Sequence, residues 1–363
     1  MFPARCAVVA LTLFTFIASL AAEQYPARPV TIVAPYAAGG GADLIARLIA
    51  LKLGERLGQS FLVENRLGAG GVIAANSVAK AAPDGYTLFM GASTQLAIQV
   101  TLHKKLPYDP AADFMPVALV ASVPFVLIVH PSLPVHTAGE LIRLAKERPG
   151  QLSFGSSGVG GPPHLFTELL KTMTGIEMTH IPYKGTAQAM TDVIAGHVPI
   201  IFSDLAPAIP QLKAGRLRAL GISSAVRFAG MPDIPPLAEA GVPGFDAVSW
   251  LALVAPAATP REIVDKLHAT VKQIMAEPAV QQRFVDLGNI PLSIGEWTKR
   301  DLPEPDRIMG EWFTTTSRIA LNPQNTLPRV MRFGKTNKVF RRSSFGLGRF
   351  GLRRARRKPT DPP

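Results

Sequence analysis

From residue 25 onward, short apolar runs alternate with longer stretches in which apolar residues recur at helical spacing. The runs "VTIVAPY" (30–36), "FLVEN" (61–65), "YTLFMG" (86–91), "PFVLIVH" (124–130), "LSFGSS" (152–157), "MTHIPY" (178–183), "VPIIFSD" (198–204), "RALGIS" (218–223) and "VSWLALVAP" (248–256) read as strands. Between them, "DLIARLIALKLGERL", "TAGELIRLAKERP", "PHLFTELLKTMTG", "TAQAMTDVIAGH" and "TPREIVDKLHATVKQIMAEP" read as helices. In the first helix Leu44, Ile45, Leu48 and Ile49 form an apolar stripe, and Arg47, Lys52, Glu55 and Arg56 take the other face. Such a helix is built to pack on a sheet. In the last, Thr259 is the expected N-cap, Pro260 the first helical residue, and Pro278 the stop. The alternation predicts an α/β protein with a mostly parallel sheet flanked by helices.

Nine such strands are too many for one small parallel sheet. "PFVLIVH" and "VSWLALVAP" fall where the chain could pass from one sheet to another and back. The expected organisation is a discontinuous first domain, residues 25–125 plus 247–323, and an inserted second domain, residues 126–246. Two crossovers make a hinge, and a hinge over a cleft suggests a clamshell.

The length of 363 residues and 47% hydrophobic content support a sizeable core and about two domains. Residues 1–22 read as a secretory signal: Arg5 supplies the positive start, Cys6 to Ala22 carries no ionisable group except the thiol, and Ser19-Leu20-Ala21 or Ala22 offers a cleavage site. An apolar run of 17 residues is short for a membrane span, which takes ~20. The only cysteine, Cys6, precedes that run, so cleavage leaves a chain without thiols. Disulfides, cysteine nucleophiles and thiolate metal sites are thereby excluded.

The net charge of +12 is concentrated at one end. From Gln324 onward twelve Lys or Arg residues face one acid, Asp361, which leaves the first 323 residues at +1. The segment "RRSSFGLGRFGLRRARRKPTDPP" has no helical or strand period, so residues 324–363 read as a disordered basic tail. No folded reading surface accompanies the tail, and nucleic acid is not an expected partner.

Candidate chemistry gathers at four strand ends: "YAAGGGAD" (36–43), "GASTQ" (91–95), "GSSGVGGPPH" (155–164) and "YKGTAQ" (183–188). Each leads from a strand into a helix, and ligands of open α/β sheets bind beyond the strand C-termini. The glycines admit close approach to the backbone, and Ser93, Thr94, Ser156 and Ser157 offer hydroxyls. A glycine turn at a helix N-terminus favours an anion, leaving phosphate, dinucleotide and carboxylate as candidates.

Named motifs fail at single positions. The dinucleotide fingerprint needs glycine where Leu44 stands, the phosphate loop needs lysine where Gly161 stands, and the hydrolase elbow needs glycine at Val159. The seven histidines show no metal-ligand spacing; His164 and Glu168, four apart, read as a polar helix face. Asp43 and Asp204 read most simply as N-caps, with a cleft-facing role as the alternative. Lys184 is a cation at a strand end, solvated by default and an anion ligand if turned inward.

In order, "YPARPVTIVAPYAAGGGADLIARLIA", "VENRLGAGGVIAANSVAKAAPDGYTLFMG", "LPYDPAADFMPVALVASVPFVLIVHPS", "GQLSFGSSGVGGPPHLFTELLKTMTG", "HIPYKGTAQAMTDVIAGHVPIIFSD" and "GRLRALGISS" resemble the Bug family of periplasmic solute receptors, across residues 25–295. The resemblance implies a two-domain α/β periplasmic-binding-protein fold, type II-like, that closes as a Venus flytrap on a small organic acid. It implies one half of a carboxylate anchor at Tyr36, Ala38, Gly39, Gly40 and Asp43, and the other at Ser156, Ser157, Gly158 and His164. Ser93, Thr94, Tyr183, Lys184, Gly185 and Asp204 would line the rest of the pocket. The expected protein is a periplasmic monomer without cofactor or metal, partnered by a small organic acid and the permease subunits of a tripartite tricarboxylate transporter. The alternative is a hydrolase using Ser156 or Ser157 with His164. The basic tail departs from the family pattern.

Overall fold

The structure is a computed structural model that describes residues 25–103 and 105–292. The expected signal segment with Cys6, the part of the first domain beyond residue 292, and the basic tail lie outside the described residues.

The first strands are β1 (Val30–Ala34), β2 (Phe61–Asn65), β3 (Thr87–Ala92) and β4 (Phe114–Val129). They are followed by β5 (Ser153–Ser156), β6 (Thr179–Pro182), β7 (Ile200–Asp204), β8 (Arg218–Ile222), β9 (Val248–Pro256) and β10 (Ile290–Pro291). The helices are α1 (Gly41–Leu57), α2 (Val72–Ala79), α3 (Gln99–Leu102), α4 (Ala138–Glu147), α5 (Pro162–Thr174), α6 (Thr186–Ile194), α7 (Leu205–Lys213), α8 (Arg261–Met275) and α9 (Pro278–Asp286). Each of the nine apolar runs contains a strand; the two-residue β10 carries no comparable signal. Among the described residues no helix is long and apolar enough to cross a membrane.

The strands run in the order β2-β1-β3-β9-β4-β7-β5-β6, with β8 and β10 also on β4. The expected mostly parallel sheet is corrected here. Among the strands of the described residues, parallel pairing is confined to β1 with β2 and β3, and to β5 with β6 and β7. The central pairs β3–β9, β4–β9, β4–β7, β4–β8 and β4–β10 are antiparallel. The reason is β9, which returns late in the chain and runs between β3 and β4.

The largest departure from the sequence reading is β4, 16 residues long where the apolar pattern marked only its second half. Pro116 and Pro124 both lie within β4, although proline lacks a ladder N–H. The structure accommodates both. The register of β4 against β9 shifts between Pro116 and Ala118, and Pro124 is its last residue paired to β9, opposite Val248. The next residue, Phe125, pairs with Asp204 of β7. One edge of β4 thus passes from β9 to β8 and the other from β10 to β7. Ser223 fastens this crossing: it exchanges bonds with Phe125 (N to O 2.7 Å; Phe125 N to Oγ 2.9 Å) and its carbonyl accepts Ala247 N–H at 2.8 Å.

The helices cover the sheet as their apolar stripes require. α1 buries Ile45, Ala46, Ile49, Ala50 and Leu53, and α8 buries Val264, Leu267, Val271, Ile274 and Met275. At about 1.5–3 kcal/mol for each large aliphatic side chain removed from water, these faces fix both helices to the sheet. Thr259 is not the cap of α8; Pro260 holds that position, and the Thr259 hydroxyl donates back to Pro256 O at 2.7 Å.

Candidate functional site

The glycine turn between β1 and α1 is held from below by Asp43. The residue is not the N-cap of α1, a position taken by Gly40. Standing third in the helix and 1% exposed, it turns its carboxylate back along the chain. Oδ2 accepts from Gly39 N–H at 2.9 Å and Arg47 Nε at 2.9 Å, and Oδ1 accepts from Asn65 Nδ2 at 2.8 Å. Asn65 Nδ2 also donates to Tyr36 O at 2.8 Å. Burial pushes the Asp43 carboxyl upward, but the bonds from Arg47, Gly39 and Asn65 outweigh it and hold it below the ordinary carboxylate range. Asp43 therefore shapes the turn, while Ala37, Ala38 and Gly39 stand exposed on its rim.

Beside the turn, the Tyr36 phenol meets the Gln95 amide at 3.3–3.4 Å. Gln95 lies in a single π-helical turn, Thr94–Ile98, a geometry that often marks functional positions. Its Nε2 donates to Gly70 O at 2.7 Å, its Oε1 accepts Ala92 N–H at 3.1 Å, and its carbonyl accepts the Tyr108 hydroxyl at 2.8 Å. Burial pushes the Tyr36 phenol up, against smaller downward effects of Gln95 and Thr94, so it stays a neutral donor. Gly71 has φ +91°, and a Cβ there would lie 2.3 Å from Gln95 Nε2, so only glycine fits. The Ser93 hydroxyl turns to that of Ser249 at 2.8 Å, tying the end of β3 to the start of β9.

Ser156 is fully buried at the end of β5. Its Oγ lies 2.6 Å from His180 Nε2 and also bonds with both Gly158 N–H and Gly158 O. The His180 ring is stacked between Phe154 (4.9 Å between centroids) and His164 (4.2 Å). His164 Nδ1 accepts Gly160 N–H at 3.1 Å, which places its own proton on Nε2. Burial, then His164, lower His180 to about 4, and burial lowers His164 as well. Both rings are neutral at neutral pH.

The neighbouring strand-end loop touches this one. Gly158, at φ +117°, approaches Tyr183 O so closely that a Cβ would sit 3.3 Å away. The Tyr183 hydroxyl donates to Asp192 Oδ2 at 2.6 Å, and burial pushes the phenol up to about 12. Lys184 is exposed, with its backbone N–H toward Gln188 Oε1 at 3.4 Å, and Gly185 is the N-cap of α6 in extended backbone.

Two contacts bring strand ends from the two stretches face to face. Gly41 N–H, the first of α1, donates to Asp204 Oδ2 at 3.1 Å, so this N–H is taken by the protein's own acidic side chain, whose carboxyl burial pushes above its ordinary value. Gly160 packs on Leu102 of α3 with no room for a Cβ, which would lie 2.3 Å from Leu102 Cδ1. Gly41 of the turn thus meets Asp204 at the end of β7, and Leu102 of α3 meets Gly160 of the loop after β5. Ser93 is turned to Ser249 and Lys184 to solvent. Sequence reasoning did not single out Gly41, Gln95, His180, Ser249 or the Leu102–Gly160 contact. His180 carried a signal, as a polar residue in a strand whose partner position is Phe154.

The Ser–His pair that a hydrolase needs is Ser156 with His180, not His164, and among the described residues no acid bonds His180. No cluster of three or more His, Cys, Asp or Glu residues that could hold a metal ion occurs among the described residues.

Residues 45–294 match the family described as the tripartite tricarboxylate transporter family receptor. The protein BugT of Bordetella pertussis is 37% identical over 276 residues, covering 76% of this chain and 85% of that protein. Among solved structures, R. palustris Rpa4515 with adipate has a TM-score of 0.76 at 39% identity, over 82% of this chain and 97% of that one. MatC from Rhodopseudomonas palustris with bound malate has a TM-score of 0.73 at 34% identity, over 81% and 99%.

Proposed function

The chain belongs to the tripartite tricarboxylate transporter receptor family, solute-binding periplasmic receptors rather than enzymes, with a two-domain periplasmic-binding fold; from that premise we propose that it captures a small carboxylate and delivers it to a tripartite tricarboxylate-type permease. The two domains are residues 25–125 plus 247–323 and residues 126–246, hinged where β4 exchanges β9 and β10 for β8 and β7. The apolar N-terminal stretch directs export, and the receptor works as a monomer.

The observation that carries this reading is the meeting of strand-end loops at two contacts, Gly41 with Asp204 and Leu102 with Gly160. Backbone N–H groups and hydroxyls dominate these loops, so a carboxylate would be held by dipoles. A ligand that touches both sides shifts an open-to-closed equilibrium by its extra affinity for the closed form. The adipate and malate bound to solved relatives point to dicarboxylates as the first acids to try.

A thermal-shift screen of adipate, malate, citrate, glutamate and benzoate checks the reading. An acid at ~100 times its Kd adds about 2.7 kcal/mol of stability, and it should be recovered unchanged. If no acid shifts the melting temperature, carboxylate binding is refuted; conversion of the acid would refute the receptor.

A further inference from the structure

Asp204 ends β7 and stands as the N-cap residue of α7, yet its side chain makes no capping bond to that helix. The usual local task of such a residue is to cap its own helix. Here the carboxylate reaches across the cleft to the first N–H of α1, 163 residues away in sequence. The approach at Gly41 is close: a Cβ there would lie 3.1 Å from Asp204 Oδ2. Asp204 also sits at the crossing, opposite Phe125, the residue at which β4 changes partners. Its surroundings are tightly packed, since a Cβ at Gly288 would be 2.4 Å from Leu205 Cβ.

We propose that Asp204 is a positioning residue that latches the two domains, capping the ligand-facing helix α1 from the opposite side of the hinge. The latch occupies the α1 N-terminus with a resident carboxylate. The ligand carboxylate is therefore left to the exposed backbone of Ala37 and Ala38 and to Ser157, and does not take the Gly41 N–H. A bond made across the cleft favours the closed arrangement before any ligand arrives, which raises the fraction of binding-competent molecules. The inference rests on the receptor reading only in treating the cleft as the ligand site, so its decisive measurements are made without ligand.

Hydrogen exchange of the ligand-free full chain compares Asp204→Ala and Asp204→Asn with the wild type. Exchange at Gly41 should quicken at least ten-fold in Asp204→Ala and less in Asp204→Asn, which keeps an acceptor oxygen. Peptides spanning β1 and β2 should be unchanged, which controls for folding. Spin labels at Leu51→Cys and Glu147→Cys, in a Cys6→Ser background, report the distance between domains. That distance should lengthen or broaden in Asp204→Ala. Unchanged exchange at Gly41 would overturn the inference; faster exchange with an unchanged interdomain distance would reduce Asp204 to a helix cap and overturn the latch. With adipate as probe, Asp204→Ala should raise Kd about ten-fold, and a lower Kd would instead make Asp204 a competitor of the ligand. Absence of adipate binding to the wild type would bear on the receptor reading and leave the ligand-free results standing.

Discussion

Replacing Asp43 with alanine separates the scaffold of the glycine turn from the turn itself. The substitution removes one buried carboxylate that accepts three bonds, from Gly39 N–H, Arg47 Nε and Asn65 Nδ2. Hydrogen bonds to a charged group contribute about 1.5–3 kcal/mol each, but the losses are unequal. Arg47 is half-exposed and can turn to water, and Asn65 keeps Tyr36 O. The expected loss is about 2–3 kcal/mol, dominated by the buried side of the network. For a chain of this size that lowers the melting temperature by about 4–8 °C. The turn also loses its anchor, and ordering a backbone residue costs about 1–2 kcal/mol. With Gly39 held directly and Tyr36 held through Asn65, ligand Kd should rise roughly ten- to hundred-fold.

The acid limb provides a further check. Because the folded-state pKa of Asp43 is depressed, its contribution is present above the unfolded value near 3.8 and lost as pH falls through the folded one. Asp43→Ala should therefore remove part of the acid destabilisation seen in the wild type. Urea unfolding across pH and calorimetric titration with an acid from the screen measure both effects. A melting temperature unchanged in Asp43→Ala would refute the supporting role of the network. A lowered melting temperature with an unchanged Kd would refute the glycine turn as part of the carboxylate site.

Gly71→Ala should cost about 1–2 kcal/mol for its left-handed backbone and more for displacing the buried Gln95 amide 2.3 Å away; an unshifted urea midpoint would contradict this. His180, lowered to about 4, contributes stability as a neutral ring that is full above the unfolded pKa near 6.5 and fades as pH falls toward 4. After screening at a ring only partly buried, the loss should be about 1–2 kcal/mol, and His180→Phe should flatten stability between those pH values. Gly160→Ala places a Cβ 2.3 Å from Leu102 Cδ1 of α3, so it should raise ligand Kd, and adding Leu102→Ala should recover part of that rise. A recovery of zero in the double mutant would show that the effect is backbone strain within one domain.

The amino-acid pattern determined every element whose information is local. The nine apolar runs each contain a strand, and α1 and α8 follow stripes of apolar residues at helical spacing, because burial of one face is a property of the segment itself. The strand-end loops were legible for a similar reason: glycine and hydroxyl residues between a strand and a helix restrict what such a turn can be. The family was legible because several such segments recur in one order. The antiparallel centre of the sheet was not legible, because strand direction depends on where β9 returns and no residue in "VSWLALVAP" encodes its neighbour. The first half of β4 was not marked as a strand, and there Pro116 and Pro124, which lack a ladder N–H, coincide with a register shift and a change of partner. Within the site, Asp43 and Asp204 looked alike in sequence, each an acid beside a helix start. Only tertiary packing sent one beneath its own turn and the other across the cleft, since a carboxylate goes to whichever unsatisfied N–H the fold brings within reach.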